Sequence, residues 1–409
     1  MSAPARPPGG RASSLGEEVA QRQEGGQPVA PARPPGGRAS SLGEDVAQRQ
    51  EDTPASVAPF YAYVGSRTTR ERNARGKGIS VFRFDPANAA LTLLQEHGGL
   101  VNPSFLAMDR SQRHLYTVHG DCQHVSSFDI GEDGRIVLLG TQDTGGRNPV
   151  HLALDPSERF LVVSNHLSCA LAVLPVTADG RIGAVAQTLR LEGPAGPHRV
   201  EQPHSKPHFN PFDLSGRHVL VPDKGLDRVF CLAFEDGRLR LAAQAVCREN
   251  SGPRNLVFHP CLPAAYVVNE LDSTVTLYRY EPDAPELEPL QIIPTLPQSY
   301  TGNNRASGIV VDPAGRFLYA SNRGLDSIAI YAIDPASGWL EFLGVQDASG
   351  ATPRFISLGP DGRFLFVAHE DSDGIAVFRV DPDSGALSLA APIVPVGSPV
   401  SIVFKTAPR

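Results

Sequence analysis

Four residues of this 409-residue chain have side chains suited to chemistry on a small anionic molecule: His208, Arg254, Glu270 and Arg323. A histidine with an unperturbed pKa of about 6.5 gains and loses a proton near neutral pH. Arginines offer forked donors that match a carboxylate, a phosphate or a developing oxyanion. A glutamate among arginines stays ionised, which suits charge balance more than base strength. The set therefore predicts an acid–base site in which His208 is the preferred base or acid.

Four further basic residues are expected to contact a bound substrate: Lys206, Lys224, His151 and Arg354. The two lysines would add affinity for a phosphate, with a solvated surface position as the alternative for both. No metal site is predicted, because the histidines are scattered and lack the spacing of metal ligands. No cofactor is expected.

These candidates belong to an internal repeat. Six segments share an apolar alternating run, a turn with Pro, Gly or Ser before a basic residue, and a second apolar run. Their central turn residues lie 46, 58, 46, 53 and 47 positions apart, which is close to the length of a four-stranded propeller blade. The segments cover residues 105–120, 151–166, 208–224, 255–270, 308–323 and 355–370.

A second kind of hairpin follows each segment and occurs seven times, beginning with Gly78–Leu94. Six first hairpins leave one blade short, and the chain ends supply the missing pair. Ser401–Phe404 is the expected inner strand and Phe60–Val64 its neighbour. Such closure removes an open sheet edge. The sequence thus predicts an all-β fold over residues 58–409, a seven-bladed β-propeller of four-stranded blades closed by the N- and C-terminal strands.

The repeat also predicts where a site lies. In an antiparallel hairpin, the start of the first strand and the end of the second lie at the same end of the blade. Residues at these two places in all blades therefore converge on one mouth of the central channel. Asp312 and Arg316 represent the repeated turns, whose polar residues are expected to satisfy backbone groups. The four candidates named first instead break the repeat, so we assign them to function.

Residues 1–57 differ in composition from the rest. Pro4–Glu24 is repeated as Pro31–Glu51 with one difference, Glu18 against Asp45. Both copies hold almost no large apolar residue, so they cannot bury enough surface to offset the entropy of ordering. A disordered tail with a duplicated 21-residue segment is predicted, either as a dispensable duplication or as a peptide-binding element.

The composition disfavours several classes of protein. A net charge of −7 offers no basic field for nucleic acid. No apolar run reaches the roughly 18 residues of a membrane span, and the N-terminus lacks the apolar region of a signal peptide. The five cysteines are not spaced like a zinc or redox motif. We expect a cytoplasmic protein with neither a nucleic-acid nor a membrane partner, and we leave the oligomeric state open.

A family resemblance is carried by Val221–Phe230, Gly252–Pro260, Tyr266–Val275, Gly315–Ile328 and Gly362–Asp373. These stretches resemble the lactonase family of seven-bladed propellers, which includes bacterial 6-phosphogluconolactonases and fungal-type carboxymuconate cyclases. The resemblance runs from about Tyr61 to Phe404. The family's proposed active site is a histidine, two arginines and a glutamate, which the resemblance assigns to His208, Arg254, Arg323 and Glu270.

Three positions depart from the family pattern. Lys206 replaces a histidine, His119-Gly120 replaces Asn-Glu, and Ser307-Gly308-Ile309 replaces Ala-Glu-Ile. These departures bear on the substrate and on the strength of the activity.

The resemblance implies a lactone hydrolase acting on a small anionic sugar lactone, with the conversion of 6-phosphogluconolactone to 6-phosphogluconate as the first expectation. Such a reaction needs a base for water, stabilisation of an oxyanion and protonation of the leaving alkoxide. Two alternatives stay open. One is a lactonising cycloisomerase of the carboxymuconate type, and the other is a non-catalytic propeller that binds a metabolite or a partner protein.

Overall fold

The structure, a computed structural model that describes residues 59–407, is built from β-strands. Within that range the one helical element is a short 3-10 helix at Arg70–Arg72. The predicted tail, residues 1–57, lies outside the described residues, so its disorder stays a prediction.

The strands are numbered in chain order. Strands β1 to β14 are Phe60–Ser66, Ile79–Asp85, Ala90–His97, Pro103–Met108, His114–His119, His124–Ile130, Ile136–Asp143, Pro149–Leu154, Phe160–Asn165, Ala170–Pro175, Gln187–Arg190, His218–Asp223, Arg228–Glu235 and Arg238–Val246. Strands β15 to β28 are Pro253–Phe258, Ala264–Asn269, Thr274–Glu281, Ala284–Pro294, Arg305–Val311, Phe317–Arg323, Ser327–Ile333, Leu340–Asp347, Pro353–Leu358, Phe364–His369, Gly374–Val380, Leu387–Leu389, Val394–Pro395 and Pro399–Thr406.

The strands form seven antiparallel blades, as predicted. Blades 2 and 3 are β4–β7 and β8–β11, blade 4 contains β12–β14, and blades 5 and 6 are β15–β18 and β19–β22. Blade 7 is β23–β25, with β26 and β27 sharing its outer edge. Blade 1 has the order β28, β1, β2, β3, so the last strand of the chain is the innermost strand of the first blade. Val64 pairs with Ile402 and Ala62 with Phe404, which confirms the predicted ring closure.

Blade 4 has an irregular inner segment in place of a regular first strand. Its pairing is limited to two isolated bridges, Pro207 with Asp223 and Phe212 with Val219. Prolines at 207 and 211 bring no backbone N–H to the ladder. Between them the N–H of His208 still donates to the carbonyl of Pro222 at 3.0 Å. The candidate histidine is therefore held on a bent segment that is tied to the blade at both ends.

Buried tyrosines fasten neighbouring blades to each other. Each lies on the second strand of a blade, is fully buried, and donates its hydroxyl to a glycine carbonyl in the outer hairpin turn of the next blade. The three pairs are Tyr63 with Gly134 at 2.9 Å, Tyr266 with Gly338 at 2.8 Å and Tyr319 with Gly385 at 2.9 Å. The glycines have φ between 69° and 81°, which their tight turns require and which other residues rarely adopt. These bonds satisfy the buried hydroxyls and set the spacing of the blades.

We expect Phe60→Ala to weaken ring closure strongly. The Phe60 ring lies 4.7 Å from that of Phe84 and 5.3 Å from that of Phe404, and truncating a buried phenylalanine costs about 3–5 kcal/mol. The loss would be read as a lower free energy of unfolding in urea. Leu93→Ala, at a half-exposed position of the same blade, should change it by less than about 0.5 kcal/mol. Equal losses in both variants would contradict this role for Phe60.

Candidate active site at one mouth of the channel

Two rings of residues surround one mouth of the channel, and every blade contributes one residue to each. Each inner-ring residue comes directly after a proline near the start of the innermost segment of its blade, or after an alanine in blade 6. The inner ring consists of Ser104, Val150, His208, Arg254, Ser307, Arg354 and Val400. The outer ring ends or follows each second strand: Arg67, Gly120, His166, Lys224, Glu270, Arg323 and Glu370. The mouth is the one that the repeat predicts.

Beta-bulges place the inner-ring side chains. In blade 5, Pro253 pairs with Asn269 and Asn255 with Val268, so Arg254 is the extra residue between them. The same register shift occurs in blades 2, 3 and 7. A bulge bends the strand and redirects the side chain of the extra residue. The bulge thus turns one side chain in each of these four blades away from the regular alternation.

Glu270 lies at the centre of a cluster of basic side chains. Its Oε2 is 3.0 Å from Arg254 Nε and 3.1 Å from Arg323 Nη2. Its Oε1 is 2.7 Å from Lys224 Nζ and 3.3 Å from Arg305 Nη1. The structure therefore brings three of the four predicted catalytic residues into direct contact and adds Lys224 from the predicted substrate-binding set.

The charges in this cluster depend on one another. Burial raises the pKa of Glu270, but Arg323, Lys224 and Arg254 outweigh that effect and hold the pKa well below its usual range. Burial, reinforced by Arg323 and Arg354, lowers the pKa of Arg254. Glu270 is therefore an ionised carboxylate and a weak base, because its ion pairs stabilise the charged form, as expected of a glutamate among arginines.

A second carboxylate joins the cluster from a loop. Glu201 lies 2.9 Å from Lys224 Nζ and 2.7 Å from Arg305 Nη1. Burial raises its pKa, but the hydrogen bond from Lys224 and the charge of Arg305 outweigh burial and bring the pKa to about 2. Lys224 is thus held between two carboxylates inside the mouth rather than solvated at the surface. Lys206 is buried nearby, its pKa is lowered by burial and by Lys224, and within the described residues it makes no ion pair.

His208 differs from the ionised groups around it. Its ring lies edge-to-face with His166, with 5.4 Å between ring centroids. Burial, followed by the charge of Arg254, lowers the pKa of His208 well below 6.5. Its Nδ1 is buried and has no hydrogen-bond partner within residues 59–407. The imidazole is therefore neutral at neutral pH and keeps a nitrogen available for a bound molecule.

A second group of ion pairs lies on blades 7, 1 and 2. Arg354 Nη1 is 3.1 Å from Glu370 Oε2, and Arg67 Nε is 3.6 Å from Glu370 Oε1. Asp121 lies 3.8 Å from Arg67 and also pairs with Arg72. Burial raises the pKa of Glu370, but Arg354 and Arg67 outweigh it and keep the carboxyl ionised. The predicted contact residue Arg354 therefore lies in the mouth, on the other side from His208.

His151 lies in the layer below the rings. Its ring centroid is 3.8 Å from that of Phe209 and 4.3 Å from that of Phe105, and its Nδ1 is 2.9 Å from Asn210 Oδ1. With Phe355, 6.0 Å from Phe105, these rings close the channel beneath the mouth. Burial lowers the pKa of His151 to about 3. Packing thus occupies this histidine, and its predicted contact with substrate stays a prediction.

The space left between the two groups is a cavity of about 30 Å³, lined in part by Arg67, Ser104, His208, Arg254 and Arg354. His208, the predicted acid–base residue, and arginines from both sides of the mouth therefore line the same cavity. Its floor is the aromatic layer that includes Phe105, Phe209 and Phe355.

Several residues of the site are not among the predicted site residues, including Arg67, Glu201, Arg305 and Glu370. Arg67 occupies the outer-ring position of the blade that is split between the chain ends, so aligning Phe60–Ser66 with the other second strands identifies it. Glu201 lies where the repeat lengthens to 58 residues, which signals an insertion but not which of its residues reaches the site.

Residues 59–407 contain no cluster of histidine, cysteine or acidic side chains arranged to hold a metal ion. Within the same residues, no helix has the length and apolar character needed to cross a membrane.

The ring of seven blades with a charged mouth defines a class of protein, and comparisons identify it. A family model described as "Lactonase, 7-bladed beta-propeller" matches residues 61–404. The chain belongs to this lactonase family, as the resemblance predicted.

Named relatives agree with this assignment. The 6-phosphogluconolactonase of Bacillus subtilis (strain 168) is 31% identical over 299 residues, covering 72% of this chain and 84% of the relative. A 6-phosphogluconolactonase of Formosa agariphila is 32% identical over 308 residues, covering 71% of this chain and 84% of that relative. The structure of a periplasmic gluconolactonase of Pseudomonas aeruginosa superposes with a TM-score of 0.79 at 30% identity, covering 86% of this chain and 100% of the other.

We expect Glu270→Gln to destabilise the propeller. The change removes a counter-charge shared by four basic groups, of which Arg254 and Arg323 have no other carboxylate partner among the described residues. Breaking a buried ion pair from one side costs about 3–5 kcal/mol. Chemical denaturation measures the loss, and Glu288→Gln is the matched control because its pair with Arg279 is exposed and is worth about 1 kcal/mol or less. Added phosphate should raise the melting temperature of Glu270→Gln more than that of the wild type. Similar stability in the two variants would contradict the central position of Glu270.

Proposed function

We propose that this protein hydrolyses an anionic sugar lactone, with 6-phosphogluconolactone as the substrate and 6-phosphogluconate as the product. The observation that carries the proposal is the charge of the mouth. Around it, seven basic side chains are linked by ion pairs to four acidic ones, although the whole chain has a net charge of −7. A local excess of positive charge in a narrow cleft attracts and holds anions.

The named relatives support the class of substrate. Two are called 6-phosphogluconolactonases and one similar structure is called a gluconolactonase. These names share the gluconolactone ring and differ in the phosphate. The phosphate is therefore the feature of the substrate that most needs an experiment.

The proposed chemistry is addition of water to the lactone carbonyl. The carbonyl oxygen becomes an oxyanion, for which Arg254 and Arg323 supply charged donors. The bond between the carbonyl carbon and the ring oxygen then breaks, and the ring oxygen leaves as an alkoxide. His208 accepts the proton of the attacking water and delivers it to that alkoxide, so the proton is returned within one turnover.

His208 suits the proton transfer better than Glu270 does. Four ion pairs hold Glu270 in its ionised form, so it gains little by accepting a proton. The neutral imidazole has an unpartnered Nδ1, and His208 lines the cavity. We assign Glu270 to holding Arg254 and Arg323 in place, with Lys224 balancing the charge.

We also propose that the protein is cytoplasmic, where sugar phosphates are made. A periplasmic location is the alternative, because the similar gluconolactonase of Pseudomonas aeruginosa is named as periplasmic. Immunodetection in separated cell fractions distinguishes the two.

Purified wild-type protein should release acid from 6-phosphogluconolactone faster than the spontaneous reaction does. Arg254→Ala should reduce kcat/KM by about 100-fold or more, as expected for loss of a charged donor to an oxyanion. The control Arg217→Ala removes an exposed arginine from a repeated turn and should retain full activity. Circular dichroism checks that both variants fold. No acid release above the spontaneous rate by folded wild-type protein would refute the proposal.

The titration of His208 tests its role directly. Burial and Arg254 disfavour the charged imidazolium, so His208 should remain neutral as the pH falls through 6.5 and gain its proton only at lower pH. In Arg254→Gln the repulsion is gone, and the pKa should rise towards 6.5. NMR of labelled histidine measures both values, with His208→Asn to assign the signal. An unchanged pKa in Arg254→Gln would show that the arginine does not act on this ring.

A further inference from the structure

Arg67 has a buried guanidinium without suitable acceptors. The residue is 4% exposed, and its Nε and Nη1 have no hydrogen-bond partner in the described part of the chain. The nearest carboxylate oxygens, from Glu370 and Asp121, are 3.6 Å and 3.8 Å away, beyond hydrogen-bond distance. Buried charged donors are costly to leave unpaired. The side chain therefore points to an acceptor that comes from outside the chain.

Ser104 presents a second unpartnered donor beside it. Its Oγ is buried and has no hydrogen-bond partner within residues 59–407. Gly120 lies against both groups, since a Cβ at this position would lie 2.2 Å from Arg67 Nη1 and 2.8 Å from Ser104 Oγ. Every other outer-ring position bears a side chain. The missing side chain at Gly120 is what leaves room for both donors at the same point.

We propose that Arg67, Ser104 and Arg354 form a subsite for the phosphate of a phosphorylated sugar lactone. The inference rests on the proposed function and assigns its substrate to the phosphorylated class. The three residues come from the consecutive blades 1, 2 and 7 and line the same cavity as His208 and Arg254, which come from blades 4 and 5 on the far side. A sugar lactone bound across the mouth would place its phosphate on one side and its carbonyl on the other.

The cluster around Glu270 is less suited to a phosphate. Lys224 Nζ and Arg305 Nη1 already contact both Glu201 and Glu270, so a phosphate at these two atoms would lie beside two carboxylates. Arg67 keeps two donors free, and burial and Arg354 lower its pKa only to about 10, so it stays charged at neutral pH.

The kinetic test compares kcat/KM for 6-phosphogluconolactone and for glucono-1,5-lactone. The wild type should favour the phosphorylated substrate, and Arg67→Gln should reduce that preference by about 10- to 100-fold, as expected for lost charge-assisted hydrogen bonds. Arg70→Gln, which removes an exposed charge three residues away, should keep the preference of the wild type. A preference that survives in Arg67→Gln would overturn the subsite.

Ser104→Ala separates binding from folding. Removing a buried hydroxyl that lacks a partner should leave the melting temperature unchanged or raise it, while weakening the binding of 6-phosphogluconate several-fold in calorimetry. Gluconate should bind the wild type and this variant equally. A hydroxyl with a purely structural role would instead lower the melting temperature and leave 6-phosphogluconate binding unchanged, and that result would refute the assignment.

The two proposals fail in different ways. If the wild type hydrolyses neither lactone, the hydrolase proposal fails, and calorimetry with 6-phosphogluconate on the wild type and Arg67→Gln still decides the subsite. If the wild type hydrolyses glucono-1,5-lactone at least as well as the phosphorylated substrate, the hydrolase proposal stands and the phosphate subsite is wrong.

Discussion

The pairing of β1 with β28 is the constraint on which the rest of the structure depends. A propeller blade contributes one residue to each ring at the mouth, and no single blade forms a site. The rings exist only if blade 1 is completed, and that blade is assembled from the two ends of the described chain. Closure also removes the two sheet edges that an open arc would expose. Fold and site are therefore established by the same event.

Once the ring is closed, electrostatics dictates the composition of the mouth. Seven outer-ring positions converge on a narrow space, and five of them bear basic or acidic groups that contact one another across blades. Basic groups at this density are tolerated only with counter-charges among them. Glu270 and Glu370 supply those counter-charges from the outer ring, and Glu201 adds one from a loop. The acidic residues thus neutralise the charge of the arginines, and these ion pairs explain why Glu270, although central to the site, is a poor base.

The sequence predicts the fold and most of the site because a repeat makes positions comparable between blades. Arg254, Glu270 and Arg323 are found because the repeat aligns them with the ring positions of the other blades, and blade 7 repeats the Arg and Glu of blade 5 as Arg354 and Glu370. The same comparison does not single out Arg67, because its blade is divided between the chain ends. The innermost strand of that blade is β28, the last strand of the chain. Glu201 has no equivalent in other blades, so no pattern within the repeat selects it. His151 shows the converse limit, since the bulge makes Val150 the ring residue and leaves the histidine one layer deeper, where it packs against Phe209.

The balance of charge at the mouth also bears on turnover. Hydrolysis of a lactone creates a carboxylate, so the product is more negative than the substrate by one charge. A mouth that was purely basic would bind the product more tightly than the substrate and release it slowly. Carboxylates placed beside the arginines reduce that preference, because they repel the new negative charge while leaving donors available for the oxyanion. On this view Glu270 and Glu370 permit a strongly basic site to bind an anion and still let a more anionic product leave.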